Sequence, residues 1–175
     1  MRSRTSYWFE AKVRFEKTME VGMPKKVTEL YVIDALSWGE AEQRILKEMS
    51  SFVSGEIEIV DLKIAAYKEI FFADSDMADK WYKVKLAFIT IDEKTDKEKR
   101  TPVCYLVNAG AINSAIKNIE EVMSGTMIDY NTLNVSETSI MDVFEYKGET
   151  SKQESNKDDT PDSEAGEEDE TVSID

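Results

Sequence analysis

Tyr7-Trp8-Phe9-Glu10-Ala11-Lys12-Val13-Arg14-Phe15-Glu16-Lys17 alternates apolar and polar side chains residue by residue. Phe9, Ala11, Val13 and Phe15 form one set, and Trp8, Glu10, Lys12, Arg14 and Glu16 the other. A period of two predicts a β-strand with one buried face. The same writing returns at Trp81–Thr90, where Tyr82, Val84, Leu86 and Phe88 form the apolar set.

The return is part of a longer repeat. Trp8, Lys12, Phe15 and Glu20 recur as Trp81, Lys85, Phe88 and Glu93, at an offset of 73. Tyr31, Ala35, Ala41, Ile45, Met49 and Ser50 recur as Tyr105, Ala109, Ala115, Ile119, Met123 and Ser124, at an offset of 74. The register is 73 again at Phe71 and Phe144. Self-similarity at a fixed period is the mark of a repeated structural unit.

Each copy predicts the same elements. After the first strand come a polar connection (Met19–Lys26, then Asp92–Arg100) and a second strand (Val27–Asp34, then Val103–Asn108). Ser37-Trp38-Gly39-Glu40 has the form of a capping box, and Ala41, Ile45, Met49 and Phe52 make one helical stripe behind it. Ile112, Ala115, Ile116, Ile119, Val122 and Met123 make the second stripe, with Asn108 as the candidate cap. Gly55 and Gly125 stand just past the two helix ends, where a left-handed residue is cheapest for Gly. Extended stretches follow at Glu56–Phe71 and Ile128–Phe144, each long enough for one strand or two short ones. The fold class is therefore α+β: two tandem β-β-α-β(-β) units, 1–72 and 81–147, joined by a short polar linker at 73–80. A unit of that size buries too little surface alone, so the copies are expected to share a sheet or face each other as a pseudo-symmetric, mainly antiparallel body.

Charge divides the chain differently. Of the formal net charge of −14, residues 148–175 carry −9, with 11 Asp/Glu against Lys152 and Lys157. Residues 1–147 keep 25 acids against 20 bases. The C-terminal stretch has no aromatic residue and only Ala165, Val172 and Ile174 as hydrophobes. Its composition predicts a disordered acidic tail.

The chain has no His and a single Cys, Cys104. That removes the commonest general base and zinc ligand and excludes an intrachain disulfide. No Gly-rich phosphate turn follows any strand. No secretory signal and no membrane-length apolar run is visible, so a cytoplasmic protein without catalytic residues, metal or cofactor is expected. Glu10-Ala11-Lys12 and Asp61-Leu62-Lys63 have the acid-x-Lys spacing of carboxylate-only nucleases, but no acid lies upstream of Glu10 to complete a metal site.

The polar sets carry the leading functional expectation. Trp8, Lys12 and Arg14 in the first copy, and Trp81, Lys83 and Lys85 in the second, put one Trp and two cations on each outer strand face. Aromatic planes that stack bases beside cations that follow phosphates describe a single-stranded nucleic-acid groove. Single-strand-binding proteins have a similar layout, a strand-rich body with an acidic tail that competes for the groove and recruits partners. The end here, Val172-Ser173-Ile174-Asp175, lacks their aromatic terminus. The expected function is thus non-enzymatic binding of single-stranded DNA in replication or a phage context, the tail acting as competitor or partner hook. The first alternative is a protein-interaction or phage accessory module, with Trp8 and Trp81 buried between the copies. A metal-dependent nuclease is the second.

Five stretches also carry a family resemblance: Arg2-Ser3-Arg4-Thr5-Ser6 with Trp8-Phe9-Glu10, Asp34-Ala35-Leu36-Ser37, Lys68-Glu69-Ile70-Phe71-Phe72, Ile89-Thr90-Ile91-Asp92-Glu93-Lys94, and Ile140-Met141-Asp142-Val143-Phe144-Glu145. Over residues 1–146 the chain resembles a domain-of-unknown-function family of gut Bacteroidota and the phages that infect them. The resemblance implies a bacterial or phage-infected cell and assigns no residue a role.

Overall fold

Strand alternation and helical stripes give eleven elements in a computed structural model that describes residues 1–147, the side chains of Ser3 and Arg4 excepted. The expected acidic tail at 148–175 lies outside the described residues. In chain order the elements are β1 (Arg2–Arg4), β2 (Trp8–Thr18), β3 (Pro24–Asp34), α1 (Trp38–Met49), β4 (Ile57–Ala65), β5 (Glu69–Phe72), β6 (Lys80–Asp92), β7 (Lys97–Ala109), α2 (Ile112–Ser124), β8 (Asp129–Glu137) and β9 (Ile140–Phe144).

The strands form two mixed, mainly antiparallel sheets, ordered β4-β2-β3-β9 and β1-β5-β7-β6-β8. Each is centred on a long hairpin, β2–β3 or β6–β7. The short strands cross over: β5 pairs in parallel with β7, Glu69 opposite Tyr105, and β9 pairs in parallel with β3, Asp142 opposite Tyr31. Strand β2 meets β4 with a bulge between Lys12 and Val13, and β6 meets β8 with one between Lys85 and Leu86.

Three apolar clusters hold the layers. Ala41, Ile45 and Met49 of α1 pack on Phe9, Ala11, Val13, Phe15, Tyr31 and Ile33. Ala115, Ile119 and Met123 of α2 pack on Tyr82, Val84, Leu86, Phe88, Tyr105 and Val107. The opposite faces of the two sheets meet in a third cluster that includes Trp8, Val32, Tyr67, Ile70, Phe72, Trp81, Leu106 and Val143. The order of layers is helix, sheet, sheet, helix, a way of burying both faces of each sheet.

Several local expectations are corrected. Strand β1 is too short for periodicity to reveal; its backbone pairs with β5, Arg2 opposite Phe72. Lys97–Arg100, expected in a connection, belong to β7 and pair with Thr90, Ile89 and neighbours on β6. The turn there is built by Asp92, whose carboxylate accepts from the Lys94 and Thr95 backbone amides at 2.8 and 3.3 Å. Helix α1 ends at Met49, so Phe52 is 55% exposed and not part of the stripe. Ser37 caps it, accepting from Glu40 N at 3.2 Å while Glu40 reaches back to Leu36 N at 2.8 Å. Helix α2 starts from Ala111 with no side-chain cap; Asn108 instead donates to the Ala78 and Lys80 carbonyls. Neither Gly55 nor Gly125 is left-handed, Gly125 sitting at φ −77°; among the described residues Gly22, in the β2–β3 turn, is the glycine with positive φ.

Candidate functional site

Strand parity places the six sequence-derived candidates on the faces that look toward the other sheet, opposite the helix-facing side chains. That side is not uniformly wet. Trp8 is 1% exposed and Trp81 5% exposed, both in the inter-sheet cluster. The expectation that they stand on an open face as stacking planes is corrected: the other sheet covers them. Trp81 meets Phe72 edge to face at 5.4 Å. The Trp8 indole N–H has no hydrogen-bond partner among the described residues.

Beyond the tryptophans the side chains become exposed, and the halves differ. On β2, Lys12 stands opposite Asp61 and Arg14 opposite Glu58, with Arg14 Nη1 at 3.3 Å from Glu58 Oε2. Glu16 stands opposite Lys26. This face is a lattice of alternating charge. On β6, Lys83 lies between Leu106 and Ser136, and Lys85 between Cys104 and Asn134. Neither lysine has a carboxylate beside it in the ladder, and neither forms an ion pair among the described residues.

Lys83 and Lys85 line a cleft of about 350 Å³ together with Glu10, Lys63, Tyr67 and Cys104. Tyr67, on the β4–β5 crossover, holds its floor. Its hydroxyl donates to Glu10 Oε1 at 2.6 Å, and its ring lies 6.0 Å from Lys83 Nζ. Lys63 Nζ is 3.1 Å from Glu10 Oε2. Both Glu10 oxygens are thereby engaged, while three ammonium groups line the space. Burial, then the bond to Glu10, pushes the Tyr67 phenol well up, so it stays a neutral donor. The hydrogen bond to Glu10 raises Lys63. Burial pushes the Cys104 thiol up against the opposing pull of Lys83 and Lys85. A thiol held protonated is a poor nucleophile. The arrangement can bind an anion.

Sequence reasoning found Lys83 and Lys85 but missed their neighbours. Lys63 belongs to the Asp61-Leu62-Lys63 pattern, which carries no sign that it faces Glu10 across β2–β4. Nothing local marks Tyr67 or Cys104. The acid-x-Lys patterns make no metal site: among the described residues, no three or more His, Cys, Asp or Glu gather as metal ligands. No helix among them is long and apolar enough to cross a membrane.

A larger hollow of about 900 Å³ lies beside α1, where Arg44 and Tyr146 meet. Arg44 contacts Asp34 Oδ1 at 3.1 Å and Glu40 Oε1 at 2.6 Å, and covers the Tyr146 ring at 3.9 Å. The Tyr146 amide donates to Asp34 at 2.7 Å. Arg2 bonds Glu145 at 2.7 Å across the two sheets. The Arg44, Asp34, Glu40, Arg2 and Glu145 charges are paired among themselves, which reads as a joint holding β9 and the chain after it against α1.

A protein-family model described as a domain of unknown function, DUF4494, matches residues 7–146. The chain belongs to the DUF4494 family. The match spans β2 through β9, both helices and every residue of the cleft, with β1 just before it. No curated protein and no solved structure matches the chain.

Proposed function

We propose that this DUF4494 chain is a non-enzymatic binding module whose inter-sheet cleft holds an acidic segment of a partner protein. One observation carries the reading: Lys83 and Lys85 project side by side with no carboxylate beside them in the ladder, and Lys63, paired with Glu10, lines the same cleft. Two strand residues of the same parity stand ~7 Å apart. An extended run of acids presents carboxylates at the same interval. Charge-assisted hydrogen bonds are the strong ones, and the thiol and phenol of the cleft are both held neutral, away from chemistry.

Single-stranded DNA is the competing occupant, and the interior tryptophans count against it. Non-specific strand binding draws on stacking planes and a track of cations. Trp8 and Trp81 are covered, and Lys12 and Arg14 face Asp61 and Glu58. The test is fluorescence anisotropy of a labelled Asp/Glu-rich peptide with the full chain and with K83A/K85A, a double change at exposed positions. Peptide binding that weakens at least about tenfold in K83A/K85A, as expected when two charge pairs are lost, supports the reading. Binding indifferent to that change ends it.

We also infer that the body arose by duplication, from units 1–72 and 81–147 joined by 73–80. The equivalences of offset 73 and 74 support it. Glu69 opposite Tyr105 corresponds to Asp142 opposite Tyr31, and the bulge after Lys12 to the bulge after Lys85. The same triplet of Ala, Ile and Met is buried on each helix. The resemblance to gut-bacterial and phage proteins and the lone thiol support a reducing bacterial cytoplasm as its setting.

A further inference from the structure

Resting on that reading of the cleft, we propose that its resident occupant is the chain's own C-terminal acidic stretch, with Glu167-Glu168-Asp169-Glu170 seated on Lys63, Lys83 and Lys85, so that a partner's acidic segment binds by displacing it. Charge complementarity is the first ground. Residues 148–175 carry 11 acids against two lysines, and their densest run is these four consecutive carboxylates. The cleft lysines on β6 are the cations of the outer strand faces that the sheet does not neutralise. Lys12, Arg14 and Lys26 stand opposite acids already.

Reach is the second ground. The stretch leaves the body after Lys147, beside the Arg44 hollow. The 20 residues from Lys147 to Glu167 span up to ~65 Å, and a body of this size is on the order of 40 Å across. The run at 167–170 can therefore arrive at the cleft from that exit point. Tethering supplies an effective concentration of ~1 mM. A cleft of only ~0.1 mM intrinsic affinity would then be occupied about ten times as often as empty. A free partner segment must outcompete that occupancy, which makes the module responsive to multivalent or strongly acidic partners. The contact is electrostatic and partly exposed, so salt weakens it as the screening length falls from ~10 Å at 0.1 M to ~3 Å at 1 M.

Cys104 lies in the cleft and is the only cysteine of the chain, which supplies a built-in reporter. The experiment is the alkylation rate of Cys104 by iodoacetamide, an uncharged reagent, in the full-length protein. The comparison is a full-length variant carrying Glu167→Gln, Glu168→Gln, Asp169→Asn and Glu170→Gln. Each version is also made with K83A/K85A, so that the effect of the acids is read as a ratio within each background and any change in thiol reactivity cancels. The expected result is a rate about tenfold slower with the native acids, matching the occupancy above. In 1 M salt or with K83A/K85A that ratio should fall to one. Equal rates for native and neutralised acids in the unsubstituted background overturn the proposal. Adding the labelled acidic peptide to the neutralised chain separates the two readings. Peptide binding there with equal alkylation rates leaves the cleft reading standing and removes only the self-docking. Absence of peptide binding there removes both.

Discussion

Trp81→Ala is the substitution that most sharply separates an interior Trp from a ligand-stacking one. Trp81 is 5% exposed and sits where the two sheets meet, edge to face with Phe72 at 5.4 Å. Burying a Trp removes roughly 200 Å² from water, worth ~5 kcal/mol at ~25 cal/mol/Å². The aromatic pair adds ~0.5–1.5 kcal/mol. Ala retains part of that burial and the walls relax only partially, so the expected loss is ~3–5 kcal/mol. That is a large share of the ~5–15 kcal/mol typical of a whole domain. The assay is urea unfolding followed by far-ultraviolet circular dichroism, which does not depend on the removed fluorophore. With a slope of ~2 kcal/mol/M, the midpoint should fall by ~2 M at nearly constant slope. Trp38→Ala is the control, since Trp38 is 49% exposed, and it should cost less than half as much. A midpoint change below ~0.5 M for Trp81→Ala would refute the inter-sheet core as described. A stacking surface predicts the reverse, unchanged stability with lost affinity for nucleic acid.

Other outcomes follow from the same structure. Asp34→Ala leaves the Tyr146 amide without its buried side-chain acceptor and takes from Arg44 one of its two carboxylate partners, so thermal unfolding should register a loss of ~3 kcal/mol. Gly110→Ala should cost ~1–3 kcal/mol by the same assay, because a Cβ there would lie 2.6 Å from the Met77 carbonyl oxygen, a backbone atom with no rotamer to yield. Burial raises the Cys104 thiol, so iodoacetamide alkylation in the chain with neutralised C-terminal acids should be slow at neutral pH and still climbing above the range of a free cysteine. Lys85→Ala removes a charge that lowers that thiol and should shift the profile further up. The sign is fixed by the neutral form: a thiol raised in the folded state favours folding below its unfolded value, and that contribution is lost as pH rises through the folded one. A profile that plateaus near neutrality would contradict the described burial.

Periodicity made the hairpins and helices legible, because residues such as Phe9, Val13, Ala41 and Ile45 face a single layer and leave a clean period of two or three to four. It gave the parity of Trp8 and Trp81 correctly and their environment wrongly. Alternation reports which side a residue points to, and only tertiary packing decides whether that side is water or another sheet. The crossing of β5 into the sheet of β7, and of β9 into that of β3, was hidden for the same reason, as parallel pairing over three or four residues leaves no local mark. The difference between the halves was also illegible in each strand taken alone. Lys12 and Lys85 are equivalent positions, yet one meets Asp61 and the other meets Cys104 and Asn134. Whether a lysine is available is decided by its cross-strand neighbours, and these come from elements tens of residues away.

The most direct test of the cleft as an acidic-segment site is a competition on the full-length chain whose acids at 167–170 are neutralised. A labelled Asp/Glu-rich peptide is bound first, and unlabelled peptide or ~30-nucleotide single-stranded DNA is added at low and moderate salt. Unlabelled peptide is expected to displace the label at its own affinity, DNA to do so poorly, and K83A/K85A to weaken binding of the label at least about tenfold. Displacement by DNA at lower concentration than peptide, with a steep salt dependence, would contradict that expectation and return the lysines of β6 to a nucleic-acid role.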